Sequence, residues 1–252
     1  MSDIVLSIEQ VGIRFGGLKA VDDVSISVRR GERRAIIGPN GAGKTTLFNA
    51  ITGVFAPTSG RIIFEGRDVT RAPPHVRAQL GMGRTFQITN LFPSLTVAEN
   101  MQLALRGLGQ RKFSMLGSRR LSHEEAEQAE RALVATRLGN RRGAVVRELS
   151  YGEQRQLEMA MALVARPKLL LLDEPAAGLS PAERGLVAEI IRSLSRELTV
   201  VLIEHDMDLV LTLVDWVTCL NNGRLLAEAA PADIRTNQEV QDVYLGRARH
   251  HA

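Results

Sequence analysis

The stretch Arg34-Ala35-Ile36-Ile37-Gly38-Pro39-Asn40-Gly41-Ala42-Gly43-Lys44-Thr45, continuing through Thr46 to Gly53, decides the fold. A short apolar run, Arg34–Ile37, feeds straight into a glycine-rich loop. From Lys44 the chain then reads as a helix closed by Gly53. Strand, loop and helix are the context in which the spacing G-x-x-x-x-G-K-[ST], met by Gly38, Gly43, Lys44 and Thr45, cradles phosphates. Glycines are required because the backbone must wrap close to the phosphates with its N–H groups inward, in conformations costly for a residue with a Cβ. The opening of a helix adds unpaired N–H groups and the positive end of the dipole. A lysine at the position of Lys44 reaches the β- and γ-phosphates, and a hydroxyl at the position of Thr45 ligates Mg²⁺.

Working outward, residues 4–8 and 24–28 alternate apolar and polar, as half-buried strands do, with Val24, Ile26 and Val28 set against Ser25 and Ser27. Arg61 to Glu65 is a short strand before a turn at Gly66. Residues 91–164 change to helical periodicity rich in Arg and Glu, with a loop-like patch from Gly107 to Ser118. From Lys168 strands return. Leu169–Leu172 and Val200–Ile203 are fully apolar runs, the pattern of parallel strands covered on both faces. A helical stretch, 181–197, lies between them, as a parallel crossover requires. The layout predicts an α/β core interrupted by a helical lobe.

Leu169–Leu172 runs directly into Asp173 and Glu174. Ligands of open α/β sheets bind at the carboxyl ends of strands. Asp173 is therefore placed to hold Mg²⁺ through its water shell, and Glu174 to act as general base or to orient an attacking water. An exposed carboxylate pair is ordinary in a loop; beside a phosphate loop the chemical reading is favoured. His205 follows the second apolar strand. A lone histidine there is more often structural, but its strand end makes it a candidate sensor of the γ-phosphate. Gln87 is uninformative by itself.

Composition bounds the rest. The 252 residues carry a net charge of +4 with 4% aromatic residues. Positive charge spread along the chain and few stacking platforms argue against nucleic acid as a partner. A mildly basic surface suits the anionic cytoplasmic face of a membrane. The single cysteine, Cys219, reads as a buried thiol. The N-terminus lacks the blocks of a signal peptide, and no run approaches the roughly 18 apolar residues of a membrane span. The longest candidate, Leu209 to Leu220, is broken by Asp215. A soluble, cytoplasmic protein that docks on a membrane protein is expected.

Leu149-Ser150-Tyr151-Gly152-Glu153, the helix-like Gln154–Val164 and then Leu169–Glu174 resemble the signature-then-acidic-strand order of ATP-binding cassette (ABC) ATPases. With Gly38–Thr45, Gln87 and His205 in family order, the resemblance covers nearly the whole chain. Arg14-Phe15-Gly16-Gly17-Leu18, Gly83-Arg84-Thr85-Phe86-Gln87, Asp173-Glu174-Pro175-Ala176-Ala177-Gly178-Leu179, Glu204–Val210 and the ending Val243–Gly246 look like the ATP-binding subunit of branched-chain amino-acid importers. Relatives importing urea, amides or aromatic acids share these stretches, and exporter ATPases are a nearer rival than soluble members. DNA-repair members carry a long coiled coil before the signature. Here only about a hundred residues, without sustained heptads, separate Thr45 from Leu149.

The resemblance implies a P-loop NTPase core with an antiparallel β subdomain and an inserted helical subdomain. It makes 4–250 one ABC ATPase domain, in which 1–90 and 165–252 form the core with its β subdomain and 91–164 the helical signature subdomain. It implies ATP and Mg²⁺ as ligands. Phe15 stacks on adenine, and Gly38, Pro39, Asn40, Gly41, Ala42, Gly43, Lys44, Thr45 and Thr46 hold the phosphates. Thr45, Gln87 and Asp173 hold Mg²⁺, while Glu174, His205 and Gln87 serve catalysis. It further implies a head-to-tail pair of cassettes in which Ser150, Tyr151, Gly152 and Glu153 complete the partner's site. The other implied partners are permease subunits on the inner face of the cell membrane, near Phe92 and Pro93, and indirectly a periplasmic solute-binding protein. Four positions depart from the usual pattern: Tyr151 for glycine and Glu153 for glutamine in the signature, Phe15 for tyrosine, and Ser180 for Asp or Asn.

Overall fold

The structure, a computed structural model, describes residues 3–85, 91–108 and 121–245. In chain order these form β1 (Ile4–Phe15), β2 (Leu18–Arg29), β3 (Arg33–Ile37), α1 (Lys44–Thr52), β4 (Ser59–Phe64), β5 (Arg67–Asp68), α2 (Pro74–Gln79), β6 (Met82–Arg84) and α3 (Val97–Leu108). There follow α4 (His123–Ala135), α5 (Tyr151–Leu163), β7 (Leu169–Asp173), α6 (Pro181–Ser193), β8 (Thr199–Ile203), α7 (Met207–Leu213), β9 (Trp216–Asn221), β10 (Arg224–Ala229), α8 (Pro231–Thr236) and α9 (Gln238–Leu245). They gather into two compact units, residues 1–77 with 196–252, and residues 78–195.

In the first unit β1 and β2 pair antiparallel, with Phe15 opposite Leu18 across Gly16-Gly17. Gly16 takes φ 58°, the left-handed backbone that a two-residue hairpin turn demands. With β4 and β5 they make an antiparallel sheet in the order β2-β1-β4-β5. Val24, Ile26 and Val28 are buried while Ser25 and Ser27 are exposed, as the alternation predicts. Both strands outrun the alternating segments. Irregular register between Ile8 and Ile13, with Gln10 and Asp23 at positive φ, breaks the period of two without ending the pairing.

A second sheet in this unit sets β3 between β8 and β9, all parallel, with β10 antiparallel on β9. Every residue of β3 and β8 is buried. Burial there extends to Arg34, whose guanidinium is met by Glu32, Glu228, the Thr218 hydroxyl and the Ser27 carbonyl, as a buried charge requires. The apolar stretch 209–220 divides between α7 and β9. Asp215 stands in the break, accepting from the Arg33 N–H at 3.0 Å and pairing with Arg196 at 2.8 Å.

α1 ends at Gly53, φ 80°, and its last carbonyls need donors from elsewhere. Arg77, 1% exposed, supplies them. Its guanidinium donates to the carbonyls of Ala50 (2.6 Å), Ala72 (2.9 Å) and Thr70 (3.1 Å), and also to that of Ile51. Burial pulls its pKa down to about 10, so it stays charged at neutral pH.

In the second unit α3, α4 and α5 enclose an apolar cluster that includes Val97, Met101, Leu133, Leu149, Leu157 and Val164. β6 pairs parallel with β7, Met82 opposite Leu169 and Arg84 opposite Leu171. Ser122, Ser150 and Ser180 open α4, α5 and α6 with reciprocal boxes closed by Glu125, Glu153 and Glu183. α6 stops at Ser193, short of 197. The Ser193 hydroxyl donates to the Ile190 carbonyl at 2.8 Å, and Leu194 turns extended.

Arg77→Ala strands several buried carbonyls at once. It is expected to lower the unfolding free energy by about 3 kcal/mol or more in urea titration. Arg77→Lys is expected to recover only part of this, because one ammonium cannot span carbonyls set around a planar fork.

Candidate functional site

The phosphate loop leaves the buried end of β3 and enters α1 without a side-chain cap or an acidic residue in the first turn. The Leu47 N–H closes on the Gly43 carbonyl at 2.9 Å. The positive end of the helix thus carries no capping side chain and no carboxylate of its own first turn, the chemistry of an anion site. Gly38, Gly41 and Gly43 have φ of 148°, 81° and 97°. A Cβ on Gly38 would lie 2.2 Å from the Leu220 carbonyl oxygen, and one on Gly43 would lie 2.4 Å from that of Ala20. Around Gly41 there is open space. The glycines are therefore demanded from both sides, by close-packed backbone behind and by access in front.

Three further contacts set the loop's shape. The Ala42 N–H donates to the Pro39 carbonyl at 3.1 Å, the Gly223 N–H to the Ala42 carbonyl at 3.1 Å, and the Asp22 N–H to the Gly223 carbonyl at 2.8 Å. The start of β2 and the β9–β10 turn thus buttress the loop. Lys44 is buried, with its ammonium on the carbonyls of Gly38 (2.7 Å) and Pro39 (3.0 Å). Asn40 and Thr45 are exposed and Thr46 is half-buried. Phe15 is 52% exposed at the tip of the β1–β2 hairpin, steadied edge-on by Phe55 with ring centroids 5.5 Å apart. His205 follows β8 with its imidazole largely in solvent, beside the buried Glu204. Cys219 lies in β9, and burial pushes its thiol up to about 11, which makes it an inert core residue.

The second unit carries the acidic pair. Asp173 ends β7 buried, and its carboxylate accepts from the Arg84 guanidinium at 3.0 Å. The Thr85 N–H donates to the Leu171 carbonyl at 2.9 Å, which keeps the β6 edge registered on β7. Glu174 is half-buried at φ 49°, left-handed backbone that a non-glycine residue adopts at a cost of about 1 kcal/mol or more. That twist turns the chain off the strand into a turn closed by the Ala177 N–H on the Glu174 carbonyl at 3.1 Å. Ser150 caps α5 through Glu153, which also pairs with Arg141 at 2.9 Å. Tyr151 is exposed, and its hydroxyl accepts from Arg155 at 2.8 Å. Gln87 lies outside the described residues, as does most of the 107–118 patch.

The structure brings Gly38–Thr46 together with hairpin and turn backbone in one unit. The other unit carries both the Asp173–Glu174 pair and the Ser150–Glu153 turn. The sequence pattern missed Ala20, Leu220 and Gly223, which shape the loop through backbone atoms and leave no trace in residue type. It also missed Arg84 as the buried cation on Asp173; an arginine three residues before Gln87 was the available signal. Among the described residues no three His, Cys, Asp or Glu side chains cluster as metal ligands. Two donor types that suit Mg²⁺ held mostly by phosphate and water are nevertheless present, an exposed hydroxyl on Thr45 in the first unit and a buried carboxylate on Asp173 in the second.

Residues 21–177 match the family model described as ABC transporter, more than half of the chain. The chain belongs to the ABC transporter family. Residues 224–250 of this cassette match a second model, the branched-chain amino acid ATP-binding cassette transporter. The cassette is 40% identical to the high-affinity branched-chain amino acid transport ATP-binding protein BraF of Pseudomonas aeruginosa, over 98% of this chain and all of that one. Its fold matches the ADP conformation of MJ1267, an ATP-binding cassette of an ABC transporter, with a TM-score of 0.87 and 32% identity over 97% of this chain and all of that one. A dimeric post-hydrolysis state of the cassette MJ0796 bound to ADP and Pi is 25% identical, with a TM-score of 0.75 over 90% of this chain and 98% of that one. As an ABC ATPase, the cassette binds ATP.

Gly43→Ala forces a Cβ onto the Ala20 carbonyl at a left-handed position. It is expected to lower stability by about 2 kcal/mol or more in thermal unfolding, and to abolish retention of a fluorescent ATP analogue.

Proposed function

We propose that this ABC ATPase powers the import of branched-chain or other hydrophobic amino acids. The observation that carries the reading is the match of residues 224–250 to the branched-chain cassette model, which lies beyond the general ABC match at 21–177. The end-to-end identity with BraF supports it.

In this reading ATP lies on the loop from Gly38 to Thr46. The inward N–H groups and the α1 dipole hold the phosphates, and the Lys44 ammonium moves from the Gly38 and Pro39 carbonyls to the β- and γ-phosphate oxygens. Phe15, exposed on one face and braced by Phe55, stacks on adenine. Thr45, Asp173 and Gln87 hold Mg²⁺. When bound, the ion neutralises charge developing on the phosphate oxygens. Glu174 takes the proton of the attacking water and His205 steadies the γ-phosphate. The cassette works in a head-to-tail pair, where Ser150–Glu153 of one chain meet the γ-phosphate held by the other. Permease subunits supply the membrane pathway; in this chain no helix among the described residues is long and apolar enough to cross a membrane. The pair sits against them on the cytoplasmic face of the membrane, and a periplasmic binding protein delivers the solute. ATP favours the closed pair and hydrolysis releases it, a ligand-biased two-state equilibrium. We assign 4–250 to a single ABC ATPase domain whose segment 91–164 carries the signature.

The decisive measurement is ATPase activity in vesicles holding the cassettes, permeases and binding protein. Leucine-loaded binding protein is expected to stimulate turnover and uptake together, and indifference to every hydrophobic amino acid would refute the solute class. Lys44→Ala is expected to weaken ATP binding about tenfold or more by removing a charged phosphate contact, read by nucleotide titration. Glu174→Gln is expected to leave that affinity within about twofold while lowering turnover about a hundredfold or more.

A further inference from the structure

Glu183, which closes the capping box in the first turn of α6, has no part in the chemistry proposed above, and it touches two places at once. Its carboxylate accepts from the Ser180 N–H at 3.0 Å and the Ser180 hydroxyl at 2.7 Å, closing the end of the loop that begins at Glu174. The same carboxylate lies over Gly152. A Cβ on Gly152 would stand 2.5 Å from Glu183 Oε1 and 2.9 Å from its carboxyl carbon. Hydrogen bonds from Ser180, with the Gly152 N–H as a smaller contributor, hold the Glu183 carboxyl below the usual carboxylate range. The group is therefore an anion at neutral pH, with donors from both segments.

A second contact joins the same two segments. The position of a Cβ on Gly178, φ 75°, lies 3.3 Å from the Tyr151 ring, so the ring covers the middle of the Glu174–Ser180 loop. That ring is itself pinned. Arg155 donates to its hydroxyl at 2.8 Å, stands 5.2 Å from its centroid, and is held by Glu158 at 2.9 Å. The signature turn and the loop after Asp173–Glu174 are thus tied twice, by the Glu183 carboxylate at Gly152 and by the Tyr151 ring at Gly178. All of these residues lie in one compact unit.

We propose that Glu183 is a positioning residue that locks the Ser150–Glu153 signature turn to the Glu174–Ser180 loop of its own chain, so that contact of the signature with a partner's ATP sets the place of Glu174. The proposal rests on the trans-acting signature of the proposed function. Tyr151 is the second tie. Glu183 acts through Gly152 and Ser180 and touches no reacting atom, so its removal should spare nucleotide binding by the phosphate loop.

Three variants separate this from a helix-capping role. Ser180→Ala removes the cap and leaves the carboxylate at Gly152; Glu183→Ala removes both; Glu183→Gln keeps the shape and an acceptor oxygen. Affinity of the single cassette for a fluorescent ATP analogue is expected to stay within about twofold in all three. Turnover at saturating ATP is expected to fall about tenfold in Glu183→Ala, at most threefold in Ser180→Ala, and to recover largely in Glu183→Gln. In a Glu174→Gln background, light scattering is expected to show that Glu183→Ala raises the ATP concentration for association of two cassettes about tenfold. Equal losses in Glu183→Ala and Ser180→Ala would reduce Glu183 to a cap and overturn the inference, as would association and turnover unchanged by Glu183→Ala. If Glu174→Gln alone binds ATP but never associates with a second cassette, the trans signature itself fails, and this inference with it.

Discussion

Close approach of backbone to backbone behind the phosphate loop is the constraint on which the nucleotide site depends. Gly38 lies against the Leu220 carbonyl and Gly43 against that of Ala20, with no space for a Cβ at either point. The loop keeps its shape because β2, β9 and the Gly223 turn arrive behind it from other parts of the sequence. Their packing in turn needs β3 buried on both faces, which is why Arg34, one of its two arginines, must be met by acceptors on every side. Rigidity behind the loop leaves its front for phosphate.

A related economy governs the end of α1. The helix opens uncapped toward the ligand, and at the other end its last carbonyls are collected by one buried guanidinium, Arg77. A charged, multiply bonded donor anchors the far end of the helix whose near end carries the glycine loop. In the second unit serine-glutamate boxes do the comparable work at α4, α5 and α6. Two of them belong to elements assigned to chemistry: Ser150–Glu153 at the signature and Ser180–Glu183 after the acidic pair. Capping chemistry and functional geometry therefore draw on the same side chains, and a substitution there has to be read with both in mind.

Much of this was legible in residue order. The helix from Lys44 to Gly53, the strands at Leu169 and Val200 and the alternation at Val24–Val28 follow from local rules: glycine punctuation, full apolarity and a period of two. The lengths of β1 and β2 were not legible, because bulges at Gln10 and Asp23 shift the period while pairing across the hairpin continues. The end of α6 was missed by four residues, since a serine hydroxyl folding back on its own helix has no apolar signature. The 209–220 stretch looked uniform, and only Asp215, tied to Arg33 and Arg196, reveals it as two elements.

Sequence by itself determined the phosphate loop, the acidic pair, the signature and the family they spell, because each is a short run whose chemistry depends on residue type and spacing. Tertiary structure alone decided why Gly38 and Gly43 must be glycines on their protein side, that Arg84 faces Asp173, and that Glu183 reaches both Ser180 and Gly152. Those facts arise where distant segments compete for the same few ångströms. Excluded volume and the pairing of buried charge act through space, so no local pattern along the chain records them.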